Sequence, residues 1–337
     1  MINYVYQLVA PGTFSVKYEE TQFGDQVVIK PRYMSICHAD QRYYTGQRER
    51  HILDKKLPMA LIHECCGEVL YDASGKYKAG EEVVLIPNVP GEHSDIILEN
   101  YAKGAGFLSS GKDGFLREFI SLPEDRLVRH KGIPQKLAAI TEFISVAAHS
   151  IRRFDGISHK IRDRIGVWGD GSLSFIVANL LKQAFPASEI IVVGKNPGKL
   201  SYFTFADETV LREELPESFE VDHAFECCGG DGSYYAIEDI IRYINPQGTV
   251  MLMGVSENRV AVNTRDVLEK GLSVIGSSRS GRADFEQAVK WMKNERFQKR
   301  LDMITFEDEK VSSVEDIHRV FRTDRNTPFK TVFEWGL

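Results

Sequence analysis

The stretch LIHECCGEVL, residues 61–70, places His63, Glu64 and two thiols side by side among apolar residues. Imidazole, carboxylate and thiolate are the groups with which proteins bind zinc, and a catalytic zinc takes three of them and keeps one position open. The stretch alone leaves two interpretations open, a polar strand or part of a metal site, because a single cysteine is usually a packing residue. A metal site requires further ligands elsewhere in the chain.

Two other residues could complete such a site. Cys37 ends the strand-like run PRYMSIC, and Glu142 lies in the helical segment TEFISV. Each has an ordinary structural explanation when it is taken alone. Cys65 and Cys66 are neighbours on a predicted strand, where adjacent side chains point to opposite faces, so we expect them to be core thiols.

A second candidate site is the glycine-rich turn in RIGVWGDGSLSFIVANLLKQAF, between a predicted strand and a predicted helix. Gly169 and Gly171 occupy the first two positions of a G-x-G-x-x-G pattern, where they permit a tight turn and the approach of a pyrophosphate to backbone N–H groups. The third position is Ser174, so we expect slightly looser packing of helix on strand. The other residues assigned to this nucleotide site are Ser172, Leu173, Glu226 and His38.

The next predicted strand ends in VVGKNPGK. A site that prefers NAD normally has Asp or Glu there to accept the ribose hydroxyls. This chain has Gly194 and Lys195 instead, with Lys199 one helical turn further on. Ammonium groups without a carboxylate suit a 2′-phosphate, so the pattern favours NADPH. The alternative is that Lys195 is a solvated lysine in a surface turn.

Composition limits the class of protein. The chain has 337 residues, 43% of them hydrophobic and 27% charged, which is ordinary for a globular protein of two domains. A net charge of −6 argues against a general nucleic-acid or membrane-surface role. We see no secretory signal and no apolar run long enough to cross a bilayer. Five cysteines, four of them in adjacent pairs, form a poor disulfide framework and favour the reducing cytoplasm.

The elements that must position these residues fall into two groups. Up to about residue 130, Val, Ile, Phe and Tyr recur at period two between Gly, Asp and Pro, which predicts a compact β-rich domain that includes GFLREFISL. From about residue 136, helical segments such as QKLAAITEFISVAAHSIRRF begin. Strand-like runs then alternate with helix-length spacers, as in a parallel sheet covered on both faces. These runs are RIGVWG, EIIVVG, DHAFEC, GTVMLMG and GLSVIGS.

The tail begins at about residue 283. It holds one helix, ADFEQAVKWMKNERF, then a mixed stretch and a final strand, FKTVFEW. The sequence leaves open whether this strand returns to the first domain.

The order of these motifs resembles the zinc-dependent medium-chain dehydrogenase/reductase superfamily over nearly the whole chain. The motifs are SICHADQRYY, LIHECCGEV, GEEVVLIP, DGFLREFI and EFISVAAHS, followed by the nucleotide fold. The resemblance implies an α/β protein with a GroES-like catalytic domain at 1–145, completed by 283–337, and a doubly wound Rossmann NADPH-binding domain at 146–282. It also implies a catalytic zinc surrounded by Cys37, His63, Glu64 and Glu142. We expect Cys37, His63 and Glu142 as ligands, with Glu64 exchanging with water.

Two departures from the superfamily matter. Many members carry four cysteines for a structural zinc after the position of VVLIPN, and VPGEHSDIILENYAKGAGFL contains none, so we predict a single zinc. Many members also begin a proton relay with Ser or Thr two residues after the motif cysteine, where this chain has Ala39. Tyr43, His38 and a zinc-bound water are the candidates for carrying the proton.

Longer strings resemble the ribulose-5-phosphate reductases more closely. They are YMSICHADQRYYTG, LPMALIHE, DHAFECCGG and VNTRDVLEKGLSVIGSSRSG. The resemblance implies NADPH-dependent reduction of the C2 ketone of D-ribulose 5-phosphate to D-ribitol 5-phosphate, for CDP-ribitol and teichoic-acid or capsule polymers. It also suggests a ribitol-5-phosphate cytidylyltransferase as pathway neighbour and candidate partner, and we expect a homodimer. The alternatives are a dehydrogenase for unphosphorylated polyols such as sorbitol or xylitol, and an inactive subunit that senses the NADPH/NADP ratio.

A sugar phosphate needs a cationic clamp. Arg42, Arg48 and Arg279 are the candidates, because guanidinium pairs with phosphate through two parallel hydrogen bonds. Lys112 is a weaker candidate, and any of the arginines could be an ordinary surface residue. Tyr43 and its neighbour Tyr44 could line the pocket or belong to the core.

Overall fold

The computed structural model describes residues 2–20 and 24–337. The strands are β1 (Ile2–Ala10), β2 (Thr13–Glu20), β3 (Val27–Ser35), β4 (Met59–Ala60), β5 (Glu64–Tyr71), β6 (Glu82–Leu85), β7 (Asn88–Val89), β8 (Gly106–Phe107), β9 (Ile120–Leu122), β10 (Leu127–Arg129), β11 (Arg164–Trp168), β12 (Glu189–Gly194), β13 (Glu208–Leu211), β14 (His223–Glu226), β15 (Thr249–Leu252), β16 (Ser273–Gly276), β17 (Thr305–Val311) and β18 (Lys330–Trp335).

Eleven α-helices are described, and none of them is long and apolar enough to cross a bilayer. They are α1 (His38–Tyr44), α2 (Arg50–Lys56), α3 (Gln135–Ala138), α4 (Thr141–Ile157), α5 (Ser172–Ala184), α6 (Pro197–Leu200), α7 (Gly232–Tyr243), α8 (Thr264–Glu269), α9 (Arg282–Met292), α10 (Glu295–Met303) and α11 (Val314–Asp324). Two short 3₁₀ turns cover Glu124–Arg126 and Arg212–Glu214.

The chain forms two compact units. Unit 1 consists of Met1–Ser145 and Ser280–Leu337, and unit 2 of Val146–Arg279. The first boundary lies inside α4, four residues after Thr141 begins it.

Unit 1 is built on a seven-stranded sheet of order β10-β6-β5-β3-β18-β17, with β9 paired to β3. Strand β18 pairs antiparallel with β3, so the tail strand that the sequence left open belongs to this unit. The buried residues of β3 and β5 pack in one apolar core with Phe321 of α11 and Phe333 of β18. This core fixes the strand ends that carry the polar residues.

The register of this sheet brings the candidate ligands together. Ser35, the last residue of β3, lies opposite Glu64, the first residue of β5, and opposite Val332 of β18. Cys37 therefore follows β3 at the same end of the sheet at which His63 precedes β5. Because β18 also runs antiparallel to β3, its first residue, Lys330, reaches this end as well.

Unit 2 confirms the predicted parallel sheet. Its six strands all run parallel in the order β13-β12-β11-β14-β15-β16, the doubly wound order in which the turn after the central strand binds a nucleotide. The strands read as continuous apolar runs because helices cover both faces. Strand β13 was not predicted, since its sequence ETVL lies at the sheet edge and stays partly exposed.

Several predicted elements have different boundaries. Only Ile120–Leu122 of GFLREFISL is a strand. The predicted helix after residue 136 is divided into α3 and α4, and the tail helix into α9 and α10. The tail helix breaks because Asn294 caps α10, accepting hydrogen bonds from the N–H groups of Arg296 and Phe297. The mixed stretch contains α11, which begins after Ser313, whose Oγ accepts from Asp316 N.

Unit 2 contains a histidine that must be neutral. Nδ1 of the buried His223 accepts a hydrogen bond from Thr249 N at 3.0 Å, and Nε2 donates to Ile161 O at 3.0 Å. Protonation would break the first of these bonds. Burial, then the neighbouring His159, lowers the pKa of His223 from 6.5 to about 4.

We expect unit 2 to lose stability in acid for this reason. Between pH 4 and 6.5, His223 binds a proton in the unfolded chain but not in the folded unit. The free energy of unfolding is therefore at its full value above pH 6.5 and falls by about 1 to 3 kcal/mol as the pH drops toward 4. Denaturant midpoints across this range measure the slope. His223→Asn, whose Oδ1 replaces the Nδ1 acceptor, should flatten it, whereas the exposed His93→Asn should not. Equal slopes in all three proteins would contradict the assignment.

Candidate metal centre and nucleotide site

The candidate metal centre lies at the sheet end described above. Cys37, His63 and Glu64 each offer one ligand atom, and these atoms lie within 4.8 Å of one another. His63 and Glu64 are buried and Cys37 is partly buried. Cys37 is the residue before α1, with extended backbone, so the chain turns from strand into helix at the thiol. Thiolate, imidazole and carboxylate at this spacing are a zinc ligand set.

Asp40 holds the histidine in place. It lies one helical turn after Cys37 and is fully buried, with Oδ2 3.4 Å from His63 Nδ1. Its Oδ1 accepts hydrogen bonds from Ser109 Oγ at 2.6 Å and Ile62 N at 3.1 Å. A carboxylate on one imidazole nitrogen orients the ring and leaves the other nitrogen for a metal. Burial alone would lower the pKa of His63, but Asp40 and then Cys37 raise it well above 6.5.

The backbone before His63 is strained. Ile62 has a φ of 71°, which a β-branched residue rarely adopts. Asp40 holds its N–H, and its carbonyl accepts from Phe115 N at 2.7 Å. Such a conformation costs on the order of 1–3 kcal/mol and persists where neighbours enforce it, often at functional sites. Here it turns the chain so that His63 and Glu64 both reach the cluster.

Lys330 balances part of the charge. Its ammonium lies 2.7 Å from Glu64 Oε1 and donates to Ile36 O at 2.8 Å, with both side chains of the ion pair buried. Glu142, on α4, is also buried and interacts electrostatically with His63, Glu64 and Lys330. Burial, together with the Glu64 charge, raises the pKa of Glu142 to about 7.

These residues fit a divalent cation. Three buried carboxylates, those of Asp40, Glu64 and Glu142, lie at this place, and His63 and Lys330 are the described cations that interact with Glu142. Glu64 Oε2 is buried and has no hydrogen-bond partner among the residues that the structure describes. An unpaired buried carboxylate oxygen is costly unless a cation or a proton meets it. The arrangement therefore suits zinc, with Glu142 beside the three grouped residues.

The candidate nucleotide site is a cavity of about 720 Å³ in unit 2, at the carboxyl ends of the central strands. Gly169, Gly171, Gly194, Lys195 and Lys199, all predicted from the sequence, line it. Open parallel sheets bind their ligands at this edge, where the strand order reverses.

The glycine turn has the geometry that the pattern predicts at its first position. Gly169 has a φ of 129°, and a Cβ there would collide with the Oγ of Ser174. Ser174 is buried behind the turn, and Gly171 precedes α5 with open space where a side chain would project. Ser172 and Leu173 are the first residues of α5. The turn therefore leaves the helix start accessible from the cavity.

Glu226 supports the cavity from behind. Its buried carboxylate accepts hydrogen bonds from Cys228 N at 2.9 Å, Ser233 Oγ at 3.1 Å and Gly254 N at 2.9 Å. Cys228 lines the cavity, so Glu226 positions a wall of the site, and its carboxylate bonds to these protein donors.

Sequence reasoning missed four residues at these sites. Asp40 and Lys330 support the metal cluster, and Asp170 and Arg212 line the cavity. Asp170 Oδ2 accepts from the N–H groups of Lys195 and Asn196, both at 2.8 Å, and so fixes the turn after β12. A lysine inside the apolar strand FKTVFEW was a usable signal, because a buried ammonium needs a counter-ion.

The predicted phosphate residues lie in different units. Arg42 and Arg48 belong to unit 1, and Arg279, with a φ of 57°, is the last residue of unit 2. Partial burial, and then the positive charges of Arg42 and Arg48, lower the pKa of the His38 imidazole. Lys112 is exposed.

The two neighbouring tyrosines differ. Tyr44 hydrogen-bonds His318 Nδ1 at 2.9 Å and stacks on Phe321 at 4.5 Å, so it packs against the core of unit 1. Tyr43 is almost fully buried, at 1% exposed, and its hydroxyl has no hydrogen-bond partner within residues 2–20 and 24–337. Cys65 and Cys66 are buried thiols, and the Cys66 Sγ lies 3.2 Å from Gln135 O.

The fold and the two sites define a class of protein, the two-domain zinc-binding dehydrogenases. The chain matches the alcohol dehydrogenase GroES-like domain over residues 24–134 and the zinc-binding dehydrogenase family over residues 175–294.

Relatives that match the whole chain show which members of this family it is most similar to among those compared. The chain is 53% identical over 338 residues to a ribulose-5-phosphate reductase of Streptococcus pneumoniae, covering 99% of this chain and 98% of the relative. It is 45% identical to a ribulose-5-phosphate reductase of Bacillus spizizenii, covering all of both chains. The crystal structure of S. aureus TarJ in complex with NADPH matches with a TM-score of 0.89 and 42% identity, covering all of both chains. The chain belongs to the medium-chain zinc-binding dehydrogenase family that includes these reductases, which confirms the resemblance of its motifs.

Proposed function

We propose that the protein reduces the C2 ketone of D-ribulose 5-phosphate to D-ribitol 5-phosphate, with NADPH as hydride donor. The observation that carries the proposal is similarity over the whole chain, at 53% and 45% identity, to proteins named ribulose-5-phosphate reductase. The cluster of Cys37, His63 and Glu64 supports it, as do Lys195 and Lys199 at the nucleotide cavity. NADPH is also the ligand of the TarJ structure.

When bound, NADPH supplies the hydride, and zinc supplies Lewis-acid polarisation of a carbonyl oxygen. Cys37 and His63 would hold the ion, with Glu142 as the third predicted ligand and Glu64 exchanging with water. Asp40 orients the imidazole, and Lys330 limits the negative charge of the cluster. A less negative ligand set draws more electron density from a ketone.

The residues that move the proton belong to unit 1. Ala39 has no hydroxyl, so the relay of many family members is interrupted at this position. The protein groups that remain as candidate carriers are the buried Tyr43 hydroxyl and the His38 imidazole.

The proposal also covers the zinc content, the oligomeric state, the pathway partner and the cellular location of the enzyme. We expect one zinc per chain, a homodimer, and a ribitol-5-phosphate cytidylyltransferase that consumes the product for CDP-ribitol and a teichoic-acid or capsule polymer. The five cysteines are free thiols, which agrees with the cytoplasmic location that we propose.

A steady-state assay tests the proposed function directly. Ribulose 5-phosphate and unphosphorylated ribulose are each compared with NADPH and NADH, before and after treatment with a chelator. We expect the highest kcat/KM for ribulose 5-phosphate with NADPH, and loss of turnover when zinc is removed. Equal efficiency with ribulose would instead favour a polyol dehydrogenase. A protein that binds NADPH but contains no zinc and reduces neither ketose would favour a nucleotide-sensing subunit.

Lys195 should determine the choice of cofactor. Its side chain is exposed at the cavity, and Asp170 fixes its backbone. We expect Lys195→Asp to lower kcat/KM for NADPH by about 10- to 100-fold, because a charged hydrogen bond is replaced by repulsion of the 2′-phosphate. Turnover with NADH should change less than threefold.

Lys195→Gln is the matched variant for this prediction, since it removes the charge without adding a negative one. Its effect on NADPH should lie between those of the wild type and Lys195→Asp. A preference unchanged in both variants would assign the 2′-phosphate contact to other residues.

A further inference from the structure

A group of cations surrounds the buried ring of Tyr43 in unit 1. The guanidinium carbon of Arg48 lies 4.8 Å from the centre of the ring, and the Lys56 ammonium lies 5.7 Å from it. Arg42 is the residue before Tyr43 on α1.

Lys56 is the member of this group that sequence reasoning did not identify. It is the last residue of α2 and is partly buried. Its ammonium donates to Ser110 Oγ at 3.0 Å, and no carboxylate of the described residues forms an ion pair with it. A partly buried ammonium with no carboxylate partner is placed to meet an anion.

The Tyr43 hydroxyl adds a donor to the same place. It is buried and has no hydrogen-bond partner among the described residues, although a buried hydroxyl normally has one. A bound ligand oxygen would satisfy it.

One loop connects this group to the metal centre. Within residues 107–112, the Phe107 ring meets the His63 ring edge-on at 5.2 Å, Ser109 Oγ donates to Asp40, and Ser110 Oγ accepts from Lys56. The contacts of this one loop thus fix His63 at one end and the Lys56 ammonium at the other.

Helix α1 makes the same connection. Tyr43 follows Cys37 by six residues of helix, a rise of about 9 Å. A pentulose phosphate has its ketone at C2 and its phosphate at C5, so the carbonyl that reacts and the phosphate that is bound are also separated along one short chain.

We propose that Lys56, Arg48 and the Tyr43 hydroxyl bind the phosphate group of the sugar-phosphate substrate, which leaves His38, of the two candidate protein carriers, to move the proton. The inference rests on the proposed function and names the subsite that would distinguish the phosphorylated ketose from the free one. A phosphate dianion offers three strong acceptor oxygens. A guanidinium, an ammonium and a phenol supply matching donors and two positive charges.

The decisive variant is Lys56→Met, which keeps the length of the side chain and removes the charge. We expect KM for ribulose 5-phosphate to rise by about 10- to 100-fold, as for the loss of one charged hydrogen bond. The values of kcat for this substrate and of kcat/KM for ribulose should stay within threefold of the wild type. Inorganic phosphate should also become a weaker competitive inhibitor.

Two variants serve as controls. Lys55→Met removes an exposed charge from the preceding residue of α2 and should leave both substrates unaffected. Lys56→Arg should restore most of the preference for the phosphorylated ketose, which a loss of packing would not permit.

Equal losses with ribulose 5-phosphate and ribulose in Lys56→Met would overturn the proposal, since they would show a structural role for the side chain. An unchanged KM for ribulose 5-phosphate would overturn it as well. Calorimetric titration of inorganic phosphate into wild type and Lys56→Met separates this result from failure of the proposed function. Weaker phosphate binding by the variant supports the subsite even if the wild type reduces a different sugar phosphate.

Discussion

Cys37→Ser should abolish reduction of ribulose 5-phosphate while nucleotide binding continues. Cys37 is the single thiol in the cluster with His63 and Glu64, and the thiolate is the strongest zinc ligand of the three. We expect kcat/KM to fall by at least about 10³-fold, equivalent to roughly 4 kcal/mol of transition-state stabilisation. The candidate nucleotide cavity lies within unit 2, so the dissociation constant for NADPH should change less than threefold.

Metal content and nucleotide fluorescence measure the two halves of this prediction. Cys66→Ala is the control, because Cys66 is a buried thiol of the same strand region that belongs to the core. It should lower stability but retain zinc and turnover. If Cys37→Ser keeps both zinc and activity, the ligand assignment is wrong.

Lys330→Met should have the largest effect on stability. It removes the cation 2.7 Å from the Glu64 carboxylate, in an ion pair whose side chains are only 5% and 0% exposed. Breaking one partner of such a buried pair leaves an uncompensated charge and costs about 3–5 kcal/mol. Denaturant unfolding of the zinc-free protein should show this loss, and zinc content at a fixed free-zinc concentration should change with it.

A second Lys–Glu pair provides the matched control. Lys310 and Glu334 lie 2.8 Å apart on β17 and β18, but their side chains are 53% and 41% exposed. Lys310→Met should cost less than about 1 kcal/mol, because water screens an exposed pair. Lys330→Arg, which keeps the charge, should recover part of the lost stability. Similar losses in Lys330→Met and Lys310→Met would refute the role of burial.

Local patterns in the sequence were sufficient to predict much of the structure of unit 2. The alternation of apolar strands with helices and the glycine turn at Gly169 are short-range signals, and each depends on residues that are neighbours in the chain. The edge strand β13 lacked the apolar run of its neighbours. The helix α11 was missed although Ser313 and Asp316 form a usable capping signal.

The residues that contact and position the candidate metal ligands could not be predicted in the same way. Its members come from separate segments that meet only through the register of β3, β5 and β18. Asp40 looks like an ordinary helix residue until Ile62, Ser109 and His63 are seen to converge on it. The positive φ of Ile62 has no local sequence signal, since an isoleucine would be expected in a strand.

The pairing of Glu64 with Lys330 also has a consequence for biosynthesis. The ribosome adds Lys330 266 residues after Glu64, which takes on the order of ten seconds to a minute. Throughout this interval the nascent chain carries an acidic, thiol-containing segment whose cationic partner does not yet exist. Unit 1 can therefore complete its folding only after a segment that is synthesised later than the whole of unit 2. Until then, the cluster that would bind zinc lacks Lys330.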